Sequence, residues 1–151
     1  KRVSLVESLW QKIRLLNKTV SINLVENILD RGCKMLRLES CRLTEATYLH
    51  STFDQLLLGN QIEAKEVTGS SQLINLDLYQ CEFTNGSLET LLLLCHSLKN
   101  LSLTEYNINI FSISILRTFY SQNGQSLQTL NLAFTHVLDG EHIKLIVKNC
   151  V

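Results

Sequence analysis

The side chains with the widest chemistry in this chain are its cysteines, Cys33, Cys41, Cys81, Cys95 and Cys150, and its histidines, His50, His96, His136 and His142. A zinc centre would need some of them in close pairs, about two to four residues apart. No Cys-x-x-Cys pair occurs, and the nearest histidines, His136 and His142, are six residues apart across an expected helix start. Five cysteines also give no paired disulfide framework, so the expectation is small buried thiols kept reduced. Nucleophile elbows, dinucleotide-binding glycine patterns and phosphate loops are all missing from the sequence. Asn17-Lys18-Thr19, Asn85-Gly86-Ser87 and Asn100-Leu101-Ser102 match the glycosylation acceptor, but such triplets arise readily by chance, and Asn100 falls inside an expected strand. These residues point to a non-catalytic protein with no metal and no cofactor.

Charge narrows the partners. Fourteen Lys and Arg offset fourteen Asp and Glu, so neither nucleic acid nor a membrane surface is expected as the main partner. No run of about 18 apolar residues is present. A length of 151 residues suits one domain, and the complete lack of proline argues against a linker. The chain opens on Lys1 rather than methionine, so a preceding segment is expected.

What positions any site is a recurring leucine frame. In Leu73-Ile-Asn-Leu76-Asp-Leu78-Tyr-Gln-Cys81 the apolar residues stand at positions 1, 4 and 6, with cysteine closing at position 9. Cys33, Leu36, Leu38 and Cys41 repeat it. So do Leu98, Leu101, Leu103 and Tyr106, and again Leu127, Leu130, Leu132 and Thr135. Trp10, Ile13 and Leu15 make a weaker copy. Frames starting at 10, 33, 73, 98 and 127 leave spacings of 23, 40, 25 and 29. Three of these match the leucine-rich repeat period of roughly 20–29 residues, and the spacing of 40 holds an insertion, placed at 60–72. One unit cannot bury its own apolar face, so the copies must stack.

Strands are expected near Lys12–Leu16, Met35–Glu39, Ile74–Leu78, Asn100–Leu103 and Thr129–Leu132. Helices are expected over Ser21–Arg31, Thr44–Leu58, Asn85 or Ser87 to Cys95, Ile110–Ser121 and Asp139–Lys148. Thr44 is read as a helix N-cap, and Leu24, Val25, Ile28 and Leu29 as an inward stripe. The fold class is α/β, a leucine-rich-repeat solenoid in horseshoe form: a right-handed β-α superhelix with a parallel sheet on its concave face. Trp10 should cap its first unit.

Strand alternation sends every second residue outward. The outward set grades from basic (Lys12, Arg14, Arg37) through acidic and aromatic (Asp77, Tyr79) to neutral (Asn100, Ser102, Asn131). The residues chosen for partner binding are Arg14, Arg37, Glu39, Asn75, Asp77, Tyr79, Ser102 and Asn131. Arg14 and Arg37 occupy one row of adjacent units, where they would attract a partner carboxylate or phosphate unless Glu39 and Asp77 neutralise them.

The frames closed by cysteine resemble the cysteine-containing leucine-rich repeats of F-box proteins. Cys95-His-Ser-Leu98-Lys-Asn-Leu101 resembles their passage from helix to strand, with His96 where proline is frequent. Ser8-Leu9-Trp10-Gln11 resembles the junction between an F-box and its first repeat, and the order of units is similar to the S-phase kinase-associated branch of that family. The resemblance implies residues 1–11 as the tail of an F-box or a linker, and 12–151 as a domain of about five repeats. It implies a substrate receptor of a cullin-RING (SCF) ubiquitin ligase, in nucleus and cytoplasm. The protein substrate, in some cases phosphorylated, would meet the repeat face, and the ligase adaptor would meet the missing F-box. An interaction scaffold or inhibitor unrelated to ubiquitin is the alternative.

Overall fold

A computed structural model describes residues 9–45, 71–84, 86–104, 117, 119–121, 123–134 and 140–149. The described chain is α/β. Its main sheet has five parallel strands: β1 (Lys12–Leu16), β3 (Met35–Glu39), β5 (Asn75–Tyr79), β7 (Asn100–Thr104) and β8 (Thr129–Asn131), neighbours in that order. A second parallel sheet joins the short strands β2 (Thr19–Ser21), β4 (Arg42–Thr44) and β6 (Glu82–Phe83). The helices are α1 (Ile22–Asp30), α2 (Ser87–Leu93) and α3 (Gly140–Asn149).

The leucine frames set the register. Ile13, Leu36, Leu76, Leu101 and Leu130 align across the five strands, and Leu15, Leu38, Leu78 and Leu103 align beside them. Leucines of the three inner strands are at most 2% exposed, whereas Ile13, Leu15 and Leu130 on the outer strands are only half-buried. Val20, Leu43 and Phe83 of the small sheet join the same core, as do Ile22, Val25, Ile28 and Leu29 of α1 and Leu88, Leu91 and Leu92 of α2. Phe119 and Tyr120, in a helical stretch, close it with rings edge to face at 5.6 Å.

Between the two sheets the chain turns a left-handed corner. Asn17, Ser40 and Gln80 each follow a main-sheet strand and have φ near +50°. Their amides still extend the ladder, to Glu39, Tyr79 and Thr104 carbonyls respectively. Phe134 holds the same frame position after β8, with φ +61°.

Local signals account for α1. Ser21 Oγ accepts from the Leu24 amide at 3.3 Å as N-cap, and Gly32 at φ +80° stops the helix. Leu24, expected inward, is 45% exposed, and Ile22 takes the buried place, because the buried stripe follows Ile22, Val25 and Leu29 at i, i+3 and i+7. Thr44 is the last residue of β4 rather than a helix cap; the buried Leu43 before it pairs with Val20 and Phe83. α2 begins at Ser87, whose buried Oγ donates to the Thr84 carbonyl at 2.8 Å, and it ends two residues before Cys95. β5 extends through Tyr79, and β8 stops at Asn131, short of Leu132. Ile146 of α3 is half-buried against the core. The expected helices over Thr44–Leu58 and Ile110–Ser121, and the insertion at 60–72, fall largely outside the described residues, as do Asp139 and the chain before Leu9.

Trp10 is half-buried against the core, with the Arg31 guanidinium 4.3 Å above its ring.

Candidate binding face

Each inner strand of the main sheet buries two leucines and, apart from Thr104 of β7, leaves its remaining side chains at least partly exposed, so the sheet carries a lattice of outward residues. One row runs Arg14, Arg37, Asp77, Ser102, Asn131. A second runs Lys12, Met35, Asn75, Asn100, Thr129. A third runs Leu16, Glu39, Tyr79, Thr104. Strand spacing of about 4.8 Å puts neighbours in a row within reach of one another. All eight residues chosen from the sequence stand on this lattice.

The arginines are not free. Arg14 Nη2 donates to Glu39 Oε2 at 2.6 Å, and Arg37 Nε lies 3.5 Å from both Glu39 Oε2 and Asp77 Oδ2. Glu39 is therefore the hub of a chain Arg14–Glu39–Arg37–Asp77 in which two positive and two negative charges cancel. The basic pair imagined from the sequence becomes an internally neutralised network. Each link is exposed enough to contribute only about 0–1 kcal/mol.

The other end of the lattice is uncharged. Asn100 Nδ2 donates to Asn75 Oδ1 across the strands. Asn131 Oδ1 accepts from the Ala133 amide at 3.1 Å, a turn that ends β8. Ser102 is half-buried between them, and Tyr79 is half-buried beside Glu39. Thr104, which strand alternation alone would turn outward, is buried. Leu16 and Met35 add apolar surface near β1, at 47% and 38% exposure. Sequence reading missed Leu16 and Phe134, the latter 73% exposed just beyond β8. The only available signal for Phe134 was its frame position, equivalent to Gln80.

The thiols face away from this surface. Cys33, Cys41, Cys81 and Cys95 are buried and free; Cys150 lies outside the described residues. Cys41 Sγ donates to the Leu15 carbonyl at 3.5 Å and Cys81 Sγ to the Leu38 carbonyl at 3.4 Å, so each closing thiol reaches across to the neighbouring main-sheet strand, β1 and β3 respectively. Burial pushes the Cys33 thiol up, Cys81 up to about 11 and Cys95 up to about 12. Protonated, enclosed thiols are poor nucleophiles and poor metal ligands. Among the described residues no cluster of His, Cys, Asp and Glu could hold a metal ion, and no helix is long and apolar enough to cross a membrane.

Asn123 also escaped sequence reading. It is 1% exposed; its Oδ1 accepts from the Leu98 amide at 3.2 Å and its Nδ2 donates to the Cys95 carbonyl at 2.6 Å. It thus ties the passage between α2 and β7 to the helical stretch before β8.

Comparison with known protein families, with curated proteins and with solved structures found no match to this chain.

Proposed function

We propose that this chain is a leucine-rich-repeat solenoid acting as the substrate-recognition part of an F-box type cullin-RING (SCF) ubiquitin ligase, binding protein targets through the outward lattice of its main sheet for ubiquitination. The observation that carries the binding role is the register. Five parallel strands keep their outward positions in common rows, giving a continuous, chemically graded surface. The ligase assignment is supported by the resemblance of Ser8-Leu9-Trp10-Gln11 and of the cysteine-closed frames. On this reading the large sheet lines the concave side, the protein performs no chemistry of its own, and it works in nucleus and cytoplasm.

Affinity capture of the full-length protein from cells tests the assignment. Co-purification of the ligase adaptor is the expected result. Capture of partners through the lattice with no adaptor present would replace the ligase role with that of a repeat scaffold.

A further inference from the structure

Charge on the outward face is unevenly satisfied. At the middle and C-terminal ends of the strands, Glu39 and Asp77 neutralise Arg14 and Arg37. At the N-terminal ends nothing does the same. Lys34, Ile74 and Lys99 hold one position in three successive units, directly before β3, β5 and β7. The backbone stacks them: the Ile74 amide donates to the Lys34 carbonyl and the Lys99 amide to the Ile74 carbonyl, both at 2.9 Å. Both lysines are exposed, and among the described residues neither has an ion-pair partner. No Asp or Glu occupies this position or the next in any of the five units. The three strands are inner ones, each with a neighbour on both sides.

Lys34 and Lys99 are two strand spacings apart, about 10 Å. Half-buried Ile74 lies between them as an apolar floor. One residue further along, Asn100 Nδ2 donates to Asn75 Oδ1. That bond leaves Asn75 Nδ2 an open donor and Asn100 Oδ1 an open acceptor among the described residues. A single peptide group offers the complement, one carbonyl and one N–H.

A ligand that fits needs two negative charges about 10 Å apart on one side and backbone groups still unpaired. A β-strand fails, because residues three apart point to opposite sides. A polyproline II segment succeeds: with three residues per turn and about 3.1 Å rise, residues i and i+3 share a face about 9 Å apart, and its N–H and C=O groups have no internal partners.

We infer that the N-terminal half of the outward face binds an acidic peptide segment in polyproline II conformation, with carboxylates at i and i+3 on Lys34 and Lys99 and the backbone between them on the Asn75–Asn100 amide pair. This rests on the reading of the outward face as the binding surface.

The test is titration of the intact folded chain with short peptides carrying two glutamates separated by one, two or three prolines, and with a two-proline peptide carrying glutamine at both places. The two-proline glutamate peptide should bind tightest, at least about tenfold better than its glutamine counterpart, and weaken as salt rises from about 0.05 to 0.5 M. Lys34→Gln with Lys99→Gln should cut that affinity at least tenfold and leave the thermal midpoint nearly unchanged, because both side chains are exposed. Lys18→Gln with Lys148→Gln, an equal change in net charge, should retain binding. Asn75→Ala should weaken it severalfold without changing the preferred spacing. Binding indifferent to spacing, or reduced equally by the two lysine pairs, would be general charge attraction and would overturn the inference. Binding lost on Arg14→Glu with Arg37→Glu but kept without Lys34 and Lys99 would overturn it while leaving the face as the site. Binding of none of the peptides would also overturn it. The reading of the face falls as well only if Tyr79→Ala leaves capture of partners by the full-length protein unchanged.

Discussion

Leu78 sits in register between Leu38 and Leu103 and is 2% exposed. Leu78→Ala should cost about 2–5 kcal/mol in urea melts, because both flanking strands are pinned by their ladders and cannot collapse into the gap. Cys95 gives a pH signature. Burial raises its folded pKa from 9.0 to about 12, so on raising the pH the unfolded chain loses the thiol proton first. Stability from this group is complete below about pH 9 and declines between 9 and 12. Denaturant melts of wild type and Cys95→Ala should converge in slope below pH 9 and diverge above it, with wild type falling faster. The inward leucines were legible in the sequence because a period of two with one residue type leaves little ambiguity. Asn123 was not, since a buried amide bridging residues about 25 positions away has no local pattern.

At the scale of elements, the strands of the main sheet were readable to within a residue or two, and the small sheet was not. β4 and β6 are two or three residues long, too short for periodicity, and Arg42-Leu43-Thr44 reads equally well as the approach to a helix. The corners were hidden too, since none of the four carries the glycine that normally marks a left-handed turn. That absence makes a prediction. Gln80→Gly should raise stability by up to about 1 kcal/mol by relieving the left-handed conformation, read as a higher urea midpoint. Gly124→Ala should do the opposite: an added Cβ would lie 2.6 Å from the Tyr120 carbonyl oxygen, and the backbone must shift, lowering stability by about 1–3 kcal/mol, read as a lower urea midpoint.

Across the described residues, strand order in the main sheet follows chain order, so each of its strands pairs with those next to it in sequence order within the sheet. The β1 end holds the single tryptophan and half-buried Ile13 and Leu15, against fully buried leucines within. Its local opening should need less free energy than global unfolding. Trp10 fluorescence should therefore change at lower urea than far-UV circular dichroism; coincident curves would mean that the end is coupled to the whole. The ion-paired end adds a salt dependence. Arg14→Glu with Arg37→Glu places four carboxylates together, so the melting temperature should fall by a few degrees at low salt and recover at about 0.5 M. The outward rows were legible because register follows the leucines. How Glu39 would be shared was not, because the reach of a glutamate across two strands depends on rotamers that no spacing encodes.

Asn123 is followed by Gly124, the sequence in which a backbone nitrogen most easily attacks a side-chain amide and turns asparagine into aspartate or isoaspartate. Folded, that amide is held by the Cys95 carbonyl and the Leu98 amide and buried from water, so the attack geometry is closed. Unfolded, it is open. After conversion, an oxygen would face the Cys95 and Phe119 carbonyls where a donor stood, leaving unlike partners replaced by mutually repelling acceptors. The protein thus carries a chemical clock that runs only while the chain is open, and each excursion that lasts long enough removes a molecule from the folding equilibrium for good.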